Sequence, residues 1–162
     1  MNFIKVCDAD VEIIKEYTFK TNTHNCEFSI ANVFLWNDVE KLHCAVIEDA
    51  LVYRLINEDV AIYSPVNLPA NVKKFIETLE TDAENKGCSC IITNLSLQMV
   101  KRIQAVLGDK FKFDYDRSDS DYIYSVEELI NLSGSKYHSK KNNLNKFLKN
   151  NEFVYEKISR DN

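Results

Sequence analysis

Apolar residues fall along this chain in two rhythms, and the switches between them mark its elements. Phe3–Val6 reads as a short strand. Asp8 then stands where an N-cap belongs, and Val11, Ile13, Ile14 and Tyr17 recur at helical spacing until about Phe19. After the polar stretch Lys20–Asn25, Ser29 is set to cap a second helix over Ile30–Asp38, with Val33, Phe34 and Trp36 toward a core. Three strand-like runs follow: Leu42–Glu48, Leu51–Ile56 and Val60–Ser64. Glu48-Asp49 and Asn57-Glu58-Asp59 are turn material between them, which predicts an antiparallel meander.

Pro69 suits the first turn of a long helix with the stripe Val72, Phe75, Ile76, Leu79 and Ala83, stopped by Gly87. Ser89–Thr93 reads as a short buried strand. Asn94 or Ser96 opens the next helix, with Met99, Val100, Ile103, Val106 and Leu107 inward and Gly108 at its end. Phe111–Tyr115 and Tyr122–Ser125 predict two more strands. Ser125-Val126-Glu127-Glu128 is a capping box, in which hydroxyl and carboxylate each satisfy the other's backbone N–H. It starts a short helix ending at Leu132. Ser133-Gly134-Ser135 breaks the chain, a final helix follows, and Phe153–Ile158 is strand-like. The order β-α-α-β-β-β-α-β-α-β-β resembles the acetyltransferase-like fold, an α/β (α+β) architecture with a mixed, mostly antiparallel sheet flanked by helices. The divisions it predicts are a domain over 1–132, a connecting helix over 133–151, and the first strand of a second domain over 152–162.

At 162 residues the chain suffices for one well-packed domain, and 45% hydrophobic with 28% charged residues excludes a disordered chain. Cys7, Cys26, Cys44, Cys88 and Cys90 are odd in number, and the first residues lack the apolar run of a secretory signal. Free thiols in a reducing compartment are expected. No stretch approaches the ~18 apolar residues of a membrane span. A cytoplasmic protein is expected, with room for peripheral work at the inner membrane surface. The net charge of −5 conceals a segregation. Residues 136–151 contain Lys136, Lys140, Lys141, Lys146, Lys149 and His138 without one acid, so the remaining 15 basic and 25 acidic residues leave −10 elsewhere.

An acyl-CoA enzyme of this fold cradles pyrophosphate with glycine-rich backbone after the fourth strand, because amide N–H groups must approach the phosphates. Here that stretch is Ser64-Pro65-Val66-Asn67-Leu68-Pro69-Ala70-Asn71, with no glycine and two prolines lacking N–H donors. No cofactor is expected. Cys88-x-Cys90 shares one face of a strand but has no second pair, and His24-x-Cys26 is as weak; no metal is expected. Asp114, Asp116, Asp119 and Asp121 lack calcium-loop spacing and its glycine, so they read as a solvated loop. The basic segment differs. Tyr137, Leu144 and Leu148 recur near helical spacing, Lys136 and Lys140 lie four apart, and Asn142 and Asn145 three apart. Lys136, Lys140, Lys141, Asn142 and Asn145 are the candidate site for phosphates of RNA or anionic lipid headgroups. The alternative is a solvated face balancing an acidic domain. No catalytic residue is assigned.

Several of these residues carry a resemblance. Asn25-Cys26-Glu27-Phe28-Ser29 with Asn32 and Trp36, then Asp121-Tyr122-Ile123-Tyr124, and above all Lys136-Tyr137 through Lys140-Lys141-Asn142-Asn143-Leu144-Asn145-Lys146-Phe147, resemble the bacterial family related to the C-terminal domain of phosphatidylglycerol lysyltransferase. The likeness covers nearly the whole chain but about half of a typical member. It implies two tandem acetyltransferase-like domains joined by the basic helix, with transfer of an aminoacyl group from aminoacyl-tRNA to a lipid headgroup. Members commonly read Lys-Arg-Asn-His where this chain has Lys140-Lys141-Asn142-Asn143. Lysine lacks the bidentate fork of arginine, and Asn143 offers no acid–base group. Three expectations result: the N-terminal half of such a transferase, inactive alone; a non-catalytic module that has lost cofactor binding; and an unrelated RNA-binding protein with one basic arm.

Overall fold

The computed structural model describes residues 2–7, 10–21 and 25–160. Within them the chain runs β1 (Ile4–Lys5), α1 (Val11–Thr21), α2 (Ile30–Glu40), β2 (His43–Ile47), β3 (Ala50–Asn57), β4 (Val60–Pro65), α3 (Val72–Glu84), β5 (Ser89–Ile92), α4 (Leu97–Leu107), α5 (Val126–Asn131) and α6 (His138–Asn150). It groups into two compact units, Met1–Asp121, which holds the sheet, and Tyr122–Asn162, which holds α5 and α6.

The strands lie in the order β1-β2-β3-β4-β5. The meander is antiparallel and its hairpins close through two-residue connections, Ile47 facing Ala50 and Asn57 facing Val60. Glu48 and Asp49 take φ of 48° and 66°, as in the type I′ turn whose twist matches that of paired strands. β5 instead runs parallel to β4, with Tyr63 opposite Ile92, as befits a strand reached through the crossover helix α3.

Period-two alternation sends side chains to two cores. Ala45, Ile47, Ala50, Val52, Ala61 and Tyr63 meet Val72, Phe75, Ile76, Leu79 and Ala83 of α3, with Ile103 of α4. Cys44, Leu51 and Tyr53 belong to the second core, with Ile14 of α1, Val33 of α2 and Phe28. One charge is buried in the first layer. Arg54 on β3 donates from Nη1 to Asp82 Oδ2 on α3 at 2.7 Å, and the Tyr63 hydroxyl donates to the same oxygen at 2.8 Å. The guanidinium also lies 4.1 Å from the centre of the Phe3 ring. This is the α+β, acetyltransferase-like arrangement that the order of elements predicts.

Several expectations are corrected. Pro69 precedes α3 rather than sitting in its first turn; Asn71 caps the helix, its side chain accepting from the Lys74 amide at 3.1 Å, a service proline cannot provide. Trp36 is half exposed, while Val33 and Asn37 are the buried residues of α2. That helix is apolar around most of its circumference, so its composition leaves the inward stripe open. Val106 is likewise half exposed, and β5, an edge strand, is only half-buried. The first strand shrinks to Ile4–Lys5. Phe111–Tyr115, Tyr122–Ser125 and Phe153–Ile158 form no strand. Alternation predicts a pleated backbone, but a strand also needs a neighbour to pair with, and these runs have none among the described residues. Phe111 and Phe113 still pack against the first core. Asp8, expected to cap α1, lies outside the described residues, as does His24.

Candidate functional site

In the sheet unit, the last paired position of β4 and β5 is Tyr63 with Ile92. A cleft of about 1060 Å³ opens there, lined by Phe28, Asn67, Leu68, Thr93, Asn94 and Arg102 among others. The loop Ser64–Asn71 forms part of its wall, and its polar groups are engaged internally. The Val66 amide donates to the Leu51 carbonyl at 2.8 Å. The Asn67 side chain accepts from the Leu51 amide at 3.2 Å and donates to the Asp49 carbonyl at 2.8 Å. Arg102 reaches from α4 to the carbonyls of Leu68 and Pro69 at 3.2 and 2.7 Å. The guanidinium therefore braces the loop.

Three of the four aspartates are engaged within the unit, two of them locally. Asp114 pairs with Lys112 at 3.0 Å, Asp116 accepts from the Ser118 amide at 2.8 Å, and Asp121 accepts from the Cys26 amide at 3.0 Å. Hydrogen bonding to Asp121, more than any other influence, pushes the exposed Cys26 thiol up to about 11, which makes it a poor nucleophile at neutral pH. Cys88 and Cys90 are partly buried against the first core, and burial pushes Cys90 up to about 11. All five cysteines are free thiols. Among the described residues no three His, Cys, Asp or Glu side chains group to hold a metal ion, and no helix is long and apolar enough to cross a membrane.

The second unit carries the basic helix. Ser135–Tyr137 form a 3-10 turn that leads directly into α6. Helical geometry divides α6 lengthwise. His138, Lys141, Asn145 and Lys149 follow at steps of three and four residues, Asn142 lies four from His138 and three from Asn145, and all share one exposed face. Lys140, Leu144, Phe147 and Leu148 share the other, where Phe147 meets Phe153 at 5.1 Å between ring centres. Three of the five candidate residues, Lys141, Asn142 and Asn145, are thus brought together. The remaining two lie elsewhere: the Lys140 ammonium stands 5.5 Å from the centre of the Tyr124 ring, and Lys136 is bound to Glu128 at 2.7 Å.

Glu128 is the residue that sequence reasoning misses. Ser125 caps α5, its hydroxyl accepting from the Glu128 amide at 3.4 Å. The carboxylate faces Lys136 and Tyr137 instead, with Oε1 taking the Lys136 ammonium and Oε2 taking the Tyr137 hydroxyl at 2.8 Å. The Lys136 bond, followed by the Tyr137 bond, holds the Glu128 carboxyl below the usual carboxylate range, and the same carboxylate raises Lys136 and Tyr137 above their ordinary values. The only signal in the sequence was Ser125-x-x-Glu128, which points to a capping box rather than to a partner eight residues downstream.

An acetyltransferase-like sheet followed by a basic helix identifies a class, and the family comparison makes it specific. Residues 18–162 match the family described as phosphatidylglycerol lysyltransferase, C-terminal, and the chain belongs to that family. It is also similar to a crystal structure of a conserved protein of unknown function from Bacteroides thetaiotaomicron VPI-5482. The two are 29% identical with a TM-score of 0.83, over 92% of this chain and 50% of that one. The chain therefore spans about half the length of that protein. None of the curated proteins compared with it matches.

Proposed function

We propose that this chain is the N-terminal half of an aminoacyl-tRNA-dependent transferase-like protein that moves an aminoacyl group to a lipid headgroup or a similar acceptor. Residues 1–132 supply an acetyltransferase-like domain, 133–151 a connecting basic helix, and 152–162 the segment that becomes the first strand of a second domain where the longer protein provides a neighbour to pair with. Lys136, Lys140, Lys141, Asn142 and Asn145 hold the phosphates of the substrate. The protein works in the cytoplasm, peripherally at the inner membrane surface, and this half alone is inactive. The observation that carries this reading is α6 itself: an exposed Lys and Asn face, free of acids, in a chain whose remainder is acidic. Family membership supports the transferase class.

Binding to unfractionated tRNA should weaken steeply with salt, because each phosphate neutralised releases counterions. Replacing Lys140 and Lys141 together by Gln should lower the log–log salt slope by roughly two for a duplex region. Thermal stability should barely move, since exposed charges are worth less than ~1 kcal/mol. Equal, salt-insensitive binding by both proteins would remove the reading.

A second reading, a non-catalytic module that has lost its cofactor, is favoured by one observation. The loop Ser64–Asn71 has no glycine, carries two prolines, and is braced by Arg102. Turnover of a charged tRNA by the longer protein separates the two.

A further inference from the structure

Glu128 has no part in the phosphate reading, yet it sits on one of the site's lysines. Its two carboxylate oxygens are divided between Lys136 at 2.7 Å and the Tyr137 hydroxyl at 2.8 Å. Tyr137 is buried, whereas the Lys136 and Glu128 side chains are 62% and 45% exposed. The contact is made by a chain reversal. α5 ends at Leu132 in the left-handed region, and Gly134 follows at φ +89°, so that residues 136 and 137 return to the first turn of α5. Residues 136–151 contain no acid, so the counter-charge comes from outside that segment.

We propose that Glu128 is a built-in competitor for RNA phosphate, occupying Lys136 until a phosphodiester takes its place. The proposal rests on the reading of α6 as a phosphate site and adds the residue that regulates it. Carboxylate and phosphate oxygens are interchangeable acceptors for an ammonium group, and both bind it best through a charge-assisted bond. While Glu128 holds Lys136, that lysine contributes no net positive charge to an incoming polyanion. Lys141, Asn142 and Asn145 remain exposed on the polar face of α6. The first encounter therefore falls to them, and Lys136 joins once its carboxylate is displaced. RNA is the ligand favoured over a membrane surface. The exposed face offers ammonium and amide donors suited to phosphate and sugar oxygens, and Phe147 of the apolar stripe is engaged by Phe153 rather than left to enter a lipid surface.

The test is a charge-swap cycle on the 162-residue chain with unfractionated tRNA as the probe. Glu128→Gln keeps an acceptor for the Tyr137 hydroxyl and removes only the charge. It should raise affinity about fivefold at 0.15 M salt and steepen the slope by ~0.9, the increment of one additional phosphate contact. Adding Lys136→Gln to that variant should abolish the gain, because the gain is carried by the Lys136 ammonium. Tyr137→Phe should leave tRNA binding as it is, because it removes a hydrogen bond and no charge. A merely structural Glu128 would give no such dependence on Lys136. Salt-dependent binding by the natural chain that Glu128→Gln leaves unchanged or weakens overturns the competitor alone. Absence of salt-dependent binding in both removes the phosphate reading with it. A parallel arm uses phosphatidylglycerol vesicles; a gain there without a gain on tRNA overturns the assignment to RNA.

Discussion

Tyr53 carries its hydroxyl into the second core, where the oxygen has no hydrogen-bond partner among the described residues. Its ring is held in place by Phe28, stacked at 6.2 Å between centres. An unpaired buried hydroxyl is a liability, since its desolvation is not offset. Tyr53→Phe should therefore leave stability unchanged or raise it by up to about 1 kcal/mol at neutral pH. Burial, above all, drives the Tyr53 phenol up from its usual 10.0. The unfolded chain therefore releases this proton near pH 10 while the folded chain keeps it. The stability it contributes is complete below pH 10 and is lost as pH rises from there toward the folded value. The phenylalanine variant should lose less stability across that alkaline range. Urea denaturation at several pH values measures both effects; a fall of more than about 1 kcal/mol at pH 7 would reveal a partner for the hydroxyl.

Between elements, the strongest polar tie is the one from β3 and β4 to α3. Asp82 accepts from both Arg54 and Tyr63, and the two charged side chains of the pair are only 7% and 10% exposed. Removing one member of a buried pair leaves the other charged and uncompensated, so Asp82→Ala should cost about 3 kcal/mol or more. Replacing both members with apolar residues, Arg54→Met with Asp82→Leu, should recover most of that loss. A double variant no more stable than Asp82→Ala would show that the pair does more than neutralise itself. The stripe of α3 was legible because polar residues alternate with it cleanly, and all five of its apolar positions are buried. The strand-like runs beyond α4 were not, because alternation records a face and not a partner. The capping box was half legible: Ser125 does cap α5, but the glutamate that should answer it is drawn to Lys136 by opposite charge.

For the whole molecule, the segregation of charge was visible at once, since five lysines without an acid stand out in a chain of net −5. What could not be read was which of those lysines is already occupied. The contact between Glu128 and Lys136 crosses a helix end, a left-handed leucine and a glycine, so no helical spacing reveals it. The meander was legible for the opposite reason: its partners are neighbours along the chain. That nearness has a consequence in time. A hairpin closed by two residues sacrifices little chain entropy, whereas β5 reaches β4 only after α3 has been laid down between them. We predict a folding transition state in which β2, β3 and β4 are already joined and β5 is not. Val52→Ala in the meander should slow refolding, while Ile92→Ala in β5 should mainly hasten unfolding. Stopped-flow kinetics giving the reverse assignment would mean that the crossover, and not the hairpins, starts the fold.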